Sequence, residues 1–466
     1  MWLLLPLLIT PALGLGMIEP PLITRTTKSN PQERFVNVRK DQFSRTKNDT
    51  FPMRFYYNEL SATDKNIVVF VGAEWTINPS GASGGMALDI ATAIGASLFY
   101  TEHRYYGKSK LTADISASAL ELLSIDQALR DLAQFIEYVK SNDFEGGQYK
   151  SAKVVLFGCS LAGSISVWMR HLYPRLVDVA VSDSGPLVAQ EDFKEFFEVT
   201  TNVLRFYGGD QCVQTIKDAT DAILAVANTT KGDELISNTF NTCTDFVGSD
   251  PMNIYTLFDG ITTVVSDLVM TARPGNVKAN CAKIANTTIS NPMQRLATWM
   301  SERIGGGCIM GQYEQMLELY GNTSYNGFVA ENRMWRYYMC YYFGWFQSTT
   351  STLQPFGYNL PVEFFRRNCR DFFSSEYDAS MIEANMRRTN TFLGSFLPDH
   401  VIHMRGTEDP WSVLQPTLRQ NTSKTPVYEI KASHCRATNS IQDSVTEEIR
   451  TVKKKVLQHV KDFIRQ

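Results

Sequence analysis

Cationic excess, histidine and long apolar runs are what this chain has least of. Its 45 Lys and Arg stand against 48 Asp and Glu, a formal net charge of −3. No positive surplus exists to hold a polyanion, so nucleic-acid partners are not expected. No His and Cys group has zinc-site spacing, and neither a metal nor another cofactor is expected. Beyond the N-terminus no apolar stretch approaches the roughly 20 residues of a bilayer-spanning helix, which argues against stable membrane insertion. Low-complexity linkers and internal repeats do not stand out. The basic run Lys453-Lys454-Lys455 falls in the last helical pattern and reads as a solvated face. What remains is 466 residues, 44% hydrophobic, more than one ordinary domain and enough to bury a large core.

The first residues, Met1-Trp2-Leu3-Leu4-Leu5-Pro6-Leu7-Leu8-Ile9, are followed by small residues up to Gly16. This pattern reads as a signal peptide over 1–16, with an uncleaved anchor as the alternative because Lys and Arg are missing from its start. Five asparagines, Asn48, Asn228, Asn286, Asn322 and Asn421, open Asn-X-Ser/Thr acceptor sites. Together with eight cysteines they point to the secretory pathway, with an extracellular or lysosomal destination. Six of the cysteines fall between Cys212 and Cys369, and the sequence leaves their pairing open.

The run Val154-Val155-Leu156-Phe157-Gly158-Cys159-Ser160-Leu161-Ala162-Gly163 carries the chemistry. A β-branched strand pattern ends at a serine flanked by small residues, and a helical pattern follows. This is the form of a nucleophile elbow, which holds a serine hydroxyl exposed on a strained turn. Such a serine needs a base and an orienting carboxylate, in the order Ser, Asp, His. Of six histidines, His434 has the fitting context, a short strand Val427–Ile430 before it and a long helix from about Ser440 after it. His459 reads as a solvated residue of that helix. The strand His400–Met404 leads to Asp409-Pro410-Trp411, making Asp409 the expected acid, with Glu408 as its local competitor and an ordinary turn as the alternative. The second oxyanion donor would be the Leu161 amide, and the first would come from the loop after the strand Ile67–Val71.

With these residues in view, the chain resembles the serine peptidases that include lysosomal prolylcarboxypeptidase, dipeptidyl peptidase II and thymus-specific serine protease. The resemblance rests on Glu102-His103-Arg104-Tyr105-Tyr106-Gly107-Lys108-Ser109, on Asp126-Gln127-Ala128-Leu129-Arg130-Asp131, on Asp409-Pro410-Trp411 and on Ser433-His434-Cys435. Arg333-Met334-Trp335 through Cys340 to Trp345 adds to it. It implies an α/β-hydrolase core with a large, mostly helical inserted cap domain, and a triad of Ser160, Asp409 and His434. It also implies cleavage next to proline near a peptide terminus, by a carboxypeptidase or a dipeptidyl peptidase. The pairings Cys212–Cys281, Cys243–Cys308 and Cys340–Cys369 follow from the same resemblance. Cys159 and Cys435, each beside a triad residue, are expected near one another as buried thiols, with a disulfide as the alternative.

The chain departs from the family pattern where an elbow usually reads Gly-Gly-Ser-Tyr-Gly-Gly, and where Trp75 replaces a glycine after Gly72-Ala73-Glu74. Tyr338 and Tyr342 stand where Gln and Glu are common. These changes bear on the oxyanion loop and the polar end of the substrate site. Ala73 is the expected oxyanion amide of that loop. Glu74 is a candidate for holding a substrate terminus, and Trp411 for walling a proline ring; a structural hydrogen bond and core packing are their plainer roles. Peptide substrates are the expected partners, with a homodimer left open. An esterase on the same core and a non-catalytic secreted binding protein are the rival readings.

Along the chain, residues 32–61 read as an irregular opening segment with edge strands. Helices are expected from Gly85 to Gly95 and, behind a Ser124–Gln127 capping box, to about Lys140. Strands are expected at Ser97–Tyr100 and Val177–Val181. Strand–helix alternation predicts a parallel sheet over 32–189, resuming at 399–466 and ending in an amphipathic helix, Ser440–Ile464. Residues 190–398 read as the inserted cap, which would restrict access to the site.

Overall fold

The computed structural model describes residues 30–466 apart from 61–64, 376, 378 and 395. The expected signal peptide at 1–16 lies outside the described residues. Ten strands occur among them: β1 (Gln32–Arg39), β2 (Thr50–Asn58), β3 (Asn66–Phe70), β4 (Ala96–Thr101), β5 (Val154–Cys159), β6 (Val179–Asp183), β7 (Gln190–Asp192), β8 (Gly344–Phe346), β9 (Val401–Gly406) and β10 (Val427–Ile430). Eight form one sheet, ordered β1-β2-β4-β3-β5-β6-β9-β10. The pairs β1–β2 and β2–β4 are antiparallel, and every pairing from β4 to β10 is parallel. The alternation of strand and helix patterns predicts the parallel part of this sheet, and the whole is the α/β-hydrolase architecture that the resemblance implies.

The continuous apolar runs explain the centre of the sheet. Ile67 to Phe70 and Val154 to Phe157 are fully buried, as strands covered on both faces must be. The hairpin β1–β2 is more regular than expected, and β2 is an interior strand, because Phe55 and Tyr57 anchor it. Phe55 meets Phe135 at 5.1 Å, and Tyr57 stacks on Phe99 at 5.0 Å. The helices Gly85–Ala93 (α1), Ile125–Val139 (α2) and Leu161–Leu172 (α3) pack on the sheet. At α2, Ser124 caps the Gln127 amide, but the reciprocal half of the capping box is missing. The Gln127 side chain serves Asp41 and the Gln42 amide instead.

The segment Glu102–Ser109 is scaffolding. The buried Glu102 carboxylate accepts from Arg54, from the Ile77, Lys108 and Ser109 amides and from the Ser109 hydroxyl. A Cβ on Gly107, which sits at φ 53°, would lie 2.0 Å from that carboxylate. Arg104 is sunk in the core and forks onto Asp131 at 2.6 and 2.7 Å. Gln42 completes the acceptor at 2.7 Å. His103 is held neutral by burial, and then by the neighbouring Arg104 charge, with its pKa pushed down to about 3; its Nε2 meets the Tyr338 hydroxyl at 2.7 Å.

Contacts divide the described chain into two units. One comprises Phe197–Gly321 and Gln347–Phe365; the other comprises the sheet, Asn322–Phe346 and Arg366–Gln466. The first is helical and carries Cys212–Cys281 and Cys243–Cys308. The second carries Cys340–Cys369 and a fourth disulfide, Cys159–Cys435. That last bond corrects the expectation of two thiols. The end of β5 and the loop after β10 meet at the carboxyl edge of the sheet, although β6 and β9 lie between the two strands, and no free cysteine occurs among the described residues.

Three expectations for the C-terminal helix are also corrected. It spans Glu447–Phe463, capped by Thr446, because residues 440–445 form turns that bind Asp89. Lys453 is not solvated: it is buried and donates to the Asn439 and Ser440 carbonyls. Burial lowers its pKa to about 8 against the pull of Asp183, Asp89 and Asp443. His459 is half-buried, and its Nε2 meets the Tyr428 hydroxyl at 2.8 Å. The Arg104–Asp131 pair yields a stability prediction. Asp131→Ala strands a buried guanidinium, so the urea-unfolding free energy should fall by about 3–5 kcal/mol. Asp131→Asn, which keeps acceptor oxygen at the site, should cost less.

Candidate active site

In a parallel sheet, ligands meet the carboxyl ends of the strands. The neighbours β5, β6, β9 and β10 end there in Cys159-Ser160, Asp183-Ser184, Gly406 and Ile430, and the loops beyond β9 and β10 carry Asp409 and His434. The residues of the candidate site described below lie in the sheet-bearing unit.

Ser160 starts α3 at φ 57°, ψ −133°, with its amide donating to the Asp183 carbonyl at 3.0 Å. A left-handed conformation costs a non-glycine residue energy and persists only where its surroundings impose it. Strand and helix nearly touch here: a Cβ on Gly158 would lie 2.1 Å from the Ala162 carbonyl oxygen. The small residues flanking the serine follow from that contact.

Asp409 is fully buried and caps the turn Pro410–Leu414. It accepts from the Trp411 amide at 2.9 Å, from Gln415 Nε2 at 2.7 Å and from His434 Nδ1 at 2.9 Å. Asp409, not Glu408, therefore orients the imidazole. With Nδ1 donating, Nε2 is left as the acceptor. No hydrogen bond joins the Ser160 hydroxyl to His434 among the described residues; the buried Glu74 carboxyl lies near that hydroxyl. Such bonds are often long in unliganded hydrolases and tighten with substrate. The cross-link Cys159–Cys435 flanks both residues, with its sulfurs within 4.8 Å of an imidazole nitrogen.

Neither the Ala73 nor the Leu161 amide donates to a backbone carbonyl outside the regular elements among the described residues. Trp75 does not crowd this loop. It is 3% exposed, and its indole N–H donates to the Tyr100 hydroxyl at 2.6 Å. Trp411 is packed within an aromatic cluster, 5.4 Å from both Phe193 and Trp345, with its ring 6.4 Å from that of His434. The five acceptor asparagines, Asn48, Asn228, Asn286, Asn322 and Asn421, are all exposed.

Glu74 is 1% exposed, and neither carboxyl oxygen has a well-formed hydrogen bond among the described residues. Burial drives its pKa up to about 7, opposed by its own amide, by His434 and by the nearby Ser160 hydroxyl. Asp183, which sequence reasoning missed, is likewise pushed up to about 6 by burial, against its bond from Thr438 and the charges of His434 and Lys453. Burial alone would depress the His434 imidazolium. The charge and hydrogen bond of Asp409, then the charges of Asp183 and Glu74, outweigh it, and the net shift is upward. Gln415 and Asp183 carry no local motif; only the neighbouring strand ends reveal them.

The raised Glu74 pKa has a defined sign in stability. The folded state binds this proton more tightly than the unfolded chain, so its penalty grows from about pH 4.5 and is complete above about 7. Glu74→Gln removes it. In urea unfolding the variant should gain about 3 kcal/mol on the wild type between pH 4.5 and 7.5. A constant difference across that window would show that Glu74 is ordinarily solvated.

The serine carboxypeptidase S28 family model matches residues 38–456. Mouse thymus-specific serine protease is 24% identical, with 93% of this chain and 88% of that protein aligned. Its human counterpart is 22% identical over 97% of this chain and 90% of its own length. Human lysosomal Pro-X carboxypeptidase is 29% identical over a shorter stretch, 45% of this chain and 42% of that protein.

Proposed function

Because the chain belongs to the serine carboxypeptidase S28 family, we propose that it is a serine exopeptidase of the secretory pathway that cleaves peptides next to proline through Ser160, His434 and Asp409. The observation that carries the reading is the Asp409–His434 hydrogen bond beside an elbow serine. The preference for proline and for peptide ends draws on the Pro-X carboxypeptidase relative.

In this mechanism His434 Nε2 takes the Ser160 proton as Oγ attacks the scissile carbonyl. Asp409 holds the tautomer and stabilises the imidazolium. His434 then gives its proton to the leaving amine, an acyl-enzyme forms, and water attacks it with His434 again as base. The Leu161 and Ala73 amides stabilise the oxyanion; one such donor is typically worth about 3–4 kcal/mol. Trp411 contributes the apolar wall against a proline ring, and Glu74 faces the polar end of the substrate. Residues 190–398 act as the inserted cap between the two core segments, 32–189 and 399–466. Glycans on the exposed acceptor asparagines fit an extracellular or lysosomal location.

A fluorophosphonate probe tests the reading. The wild type should be labelled and Ser160→Ala should not; a folded wild type left unlabelled at both acidic and neutral pH would favour a non-catalytic binding protein. Paired substrates with proline near the amino or the carboxyl end, set beside simple esters, then assign the reaction. Glu74→Gln adds a pH signature. It removes a charge that holds the imidazolium, so the acidic limb of the kcat/KM profile should move to lower pH, where a wild-type profile would not follow.

A further inference from the structure

We propose that the Cys159–Cys435 disulfide is a positioning element of the active site, holding the serine turn and the histidine loop in register for proton transfer. The proposal rests on Ser160 and His434 being nucleophile and base. Cys159 immediately precedes Ser160, and Cys435 immediately follows His434. The two are 276 residues apart in sequence, with Cα atoms 5.7 Å apart. Both are buried, at 1% and 2% exposure.

The cross-link sits where the backbone is least at ease. Ser160, Ser184 and Cys435 all have φ 57°, a conformation a non-glycine residue keeps only under constraint. Two hydrogen bonds of the histidine loop run to the end of β6, beside others to Glu408, Met86 and Lys453. The Cys435 amide donates to the Ser184 hydroxyl at 3.0 Å, and the Thr438 hydroxyl donates to Asp183 at 2.9 Å. The elbow is tied to the same strand end through the Ser160 amide and the Asp183 carbonyl. Both segments are thus bonded to a common neighbour, and the disulfide joins them to each other. The imidazole is fixed by Asp409 at Nδ1, which leaves its distance to Ser160 to be set by the backbone on either side. Proton transfer tolerates little error in that distance; a misplacement of about 1 Å can cost about 100-fold in rate.

The experiment compares the wild type with Cys159→Ala/Cys435→Ala in the full chain, the other three disulfides intact. Non-reducing peptide mapping of the wild type must first recover the 159–435 linked peptide; two free thiols there would overturn the proposal. Folded protein is quantified by circular dichroism. Fluorophosphonate labelling per folded molecule should be about 100-fold slower in the variant, and the His434 imidazole resonance should titrate at a displaced pH. A variant that melts earlier but labels and titrates like the wild type would assign the disulfide to stability alone and overturn the proposal. If the wild type itself does not label, the catalytic reading fails; the His434 titration still decides whether the cross-link positions the ring. Should the alanine pair not fold, Cys159→Ala/Cys435→Gly carries the same two readouts, because glycine accepts φ 57° without strain. Failure of both pairs to fold would mark the bond as a folding requirement and count against a positioning role.

Discussion

A carboxylate taken out of water must be met by donors, and this constraint organises the sheet-bearing unit. Glu102 is met by Arg54 and by three backbone amides, and so fixes the loop that follows β4. Asp131 is met by Arg104 and Gln42, which fastens α2 to the segment after β1. Asp409 is met by Trp411, Gln415 and His434, which aims the imidazole. Glu74 is the exception, buried with its oxygens unmatched. Three carboxyls are spent on architecture and orientation. The fourth lies beside the Ser160 turn, its pKa raised by burial to about 7.

The parts of the fold that were readable from the sequence are those whose signal is local. The β-branched run 154–157, the small residues around Ser160 and the strand Val427–Ile430 each announce their element within a few positions. The acid and the histidine could be ordered because each follows a strand. What escaped the sequence is what distant strands decide together. Lys453 looks like one of three equivalent lysines, and only the loop Asn439–Ser440 folded over it makes it a buried donor. His459 finds Tyr428 across the last helix, at a separation no helical pattern reveals. Cys159 and Cys435 were legible as neighbours through Ser160 and His434, but that they are bonded to each other and not held as two buried thiols was not.

The departures from the family elbow acquire a physical meaning in this light. Trp75 does not intrude on the oxyanion loop, since its indole turns inward to Tyr100. Ala162 still allows the elbow, because the crowded contact falls on Gly158, whose missing Cβ makes room for the Ala162 carbonyl. Cys159 contributes a covalent tie in place of a flexible glycine. The signature around Glu102 and Arg104 belongs to the framework: its charges are consumed by Arg54 and Asp131, and its histidine is neutral and bonded to Tyr338.

The distance along the chain between the two cross-linked cysteines also sets a schedule. At roughly 5–20 residues per second, the 276 residues between them take on the order of tens of seconds to emerge from a ribosome. For that interval the elbow exists without His434 and Cys435, and the open edge of β6 waits for β9. The strand β10 and the loop behind it, which bring Cys435, arrive only after that interval. A growing chain therefore carries Cys159 beside the strained Ser160 turn without its partner for that whole interval.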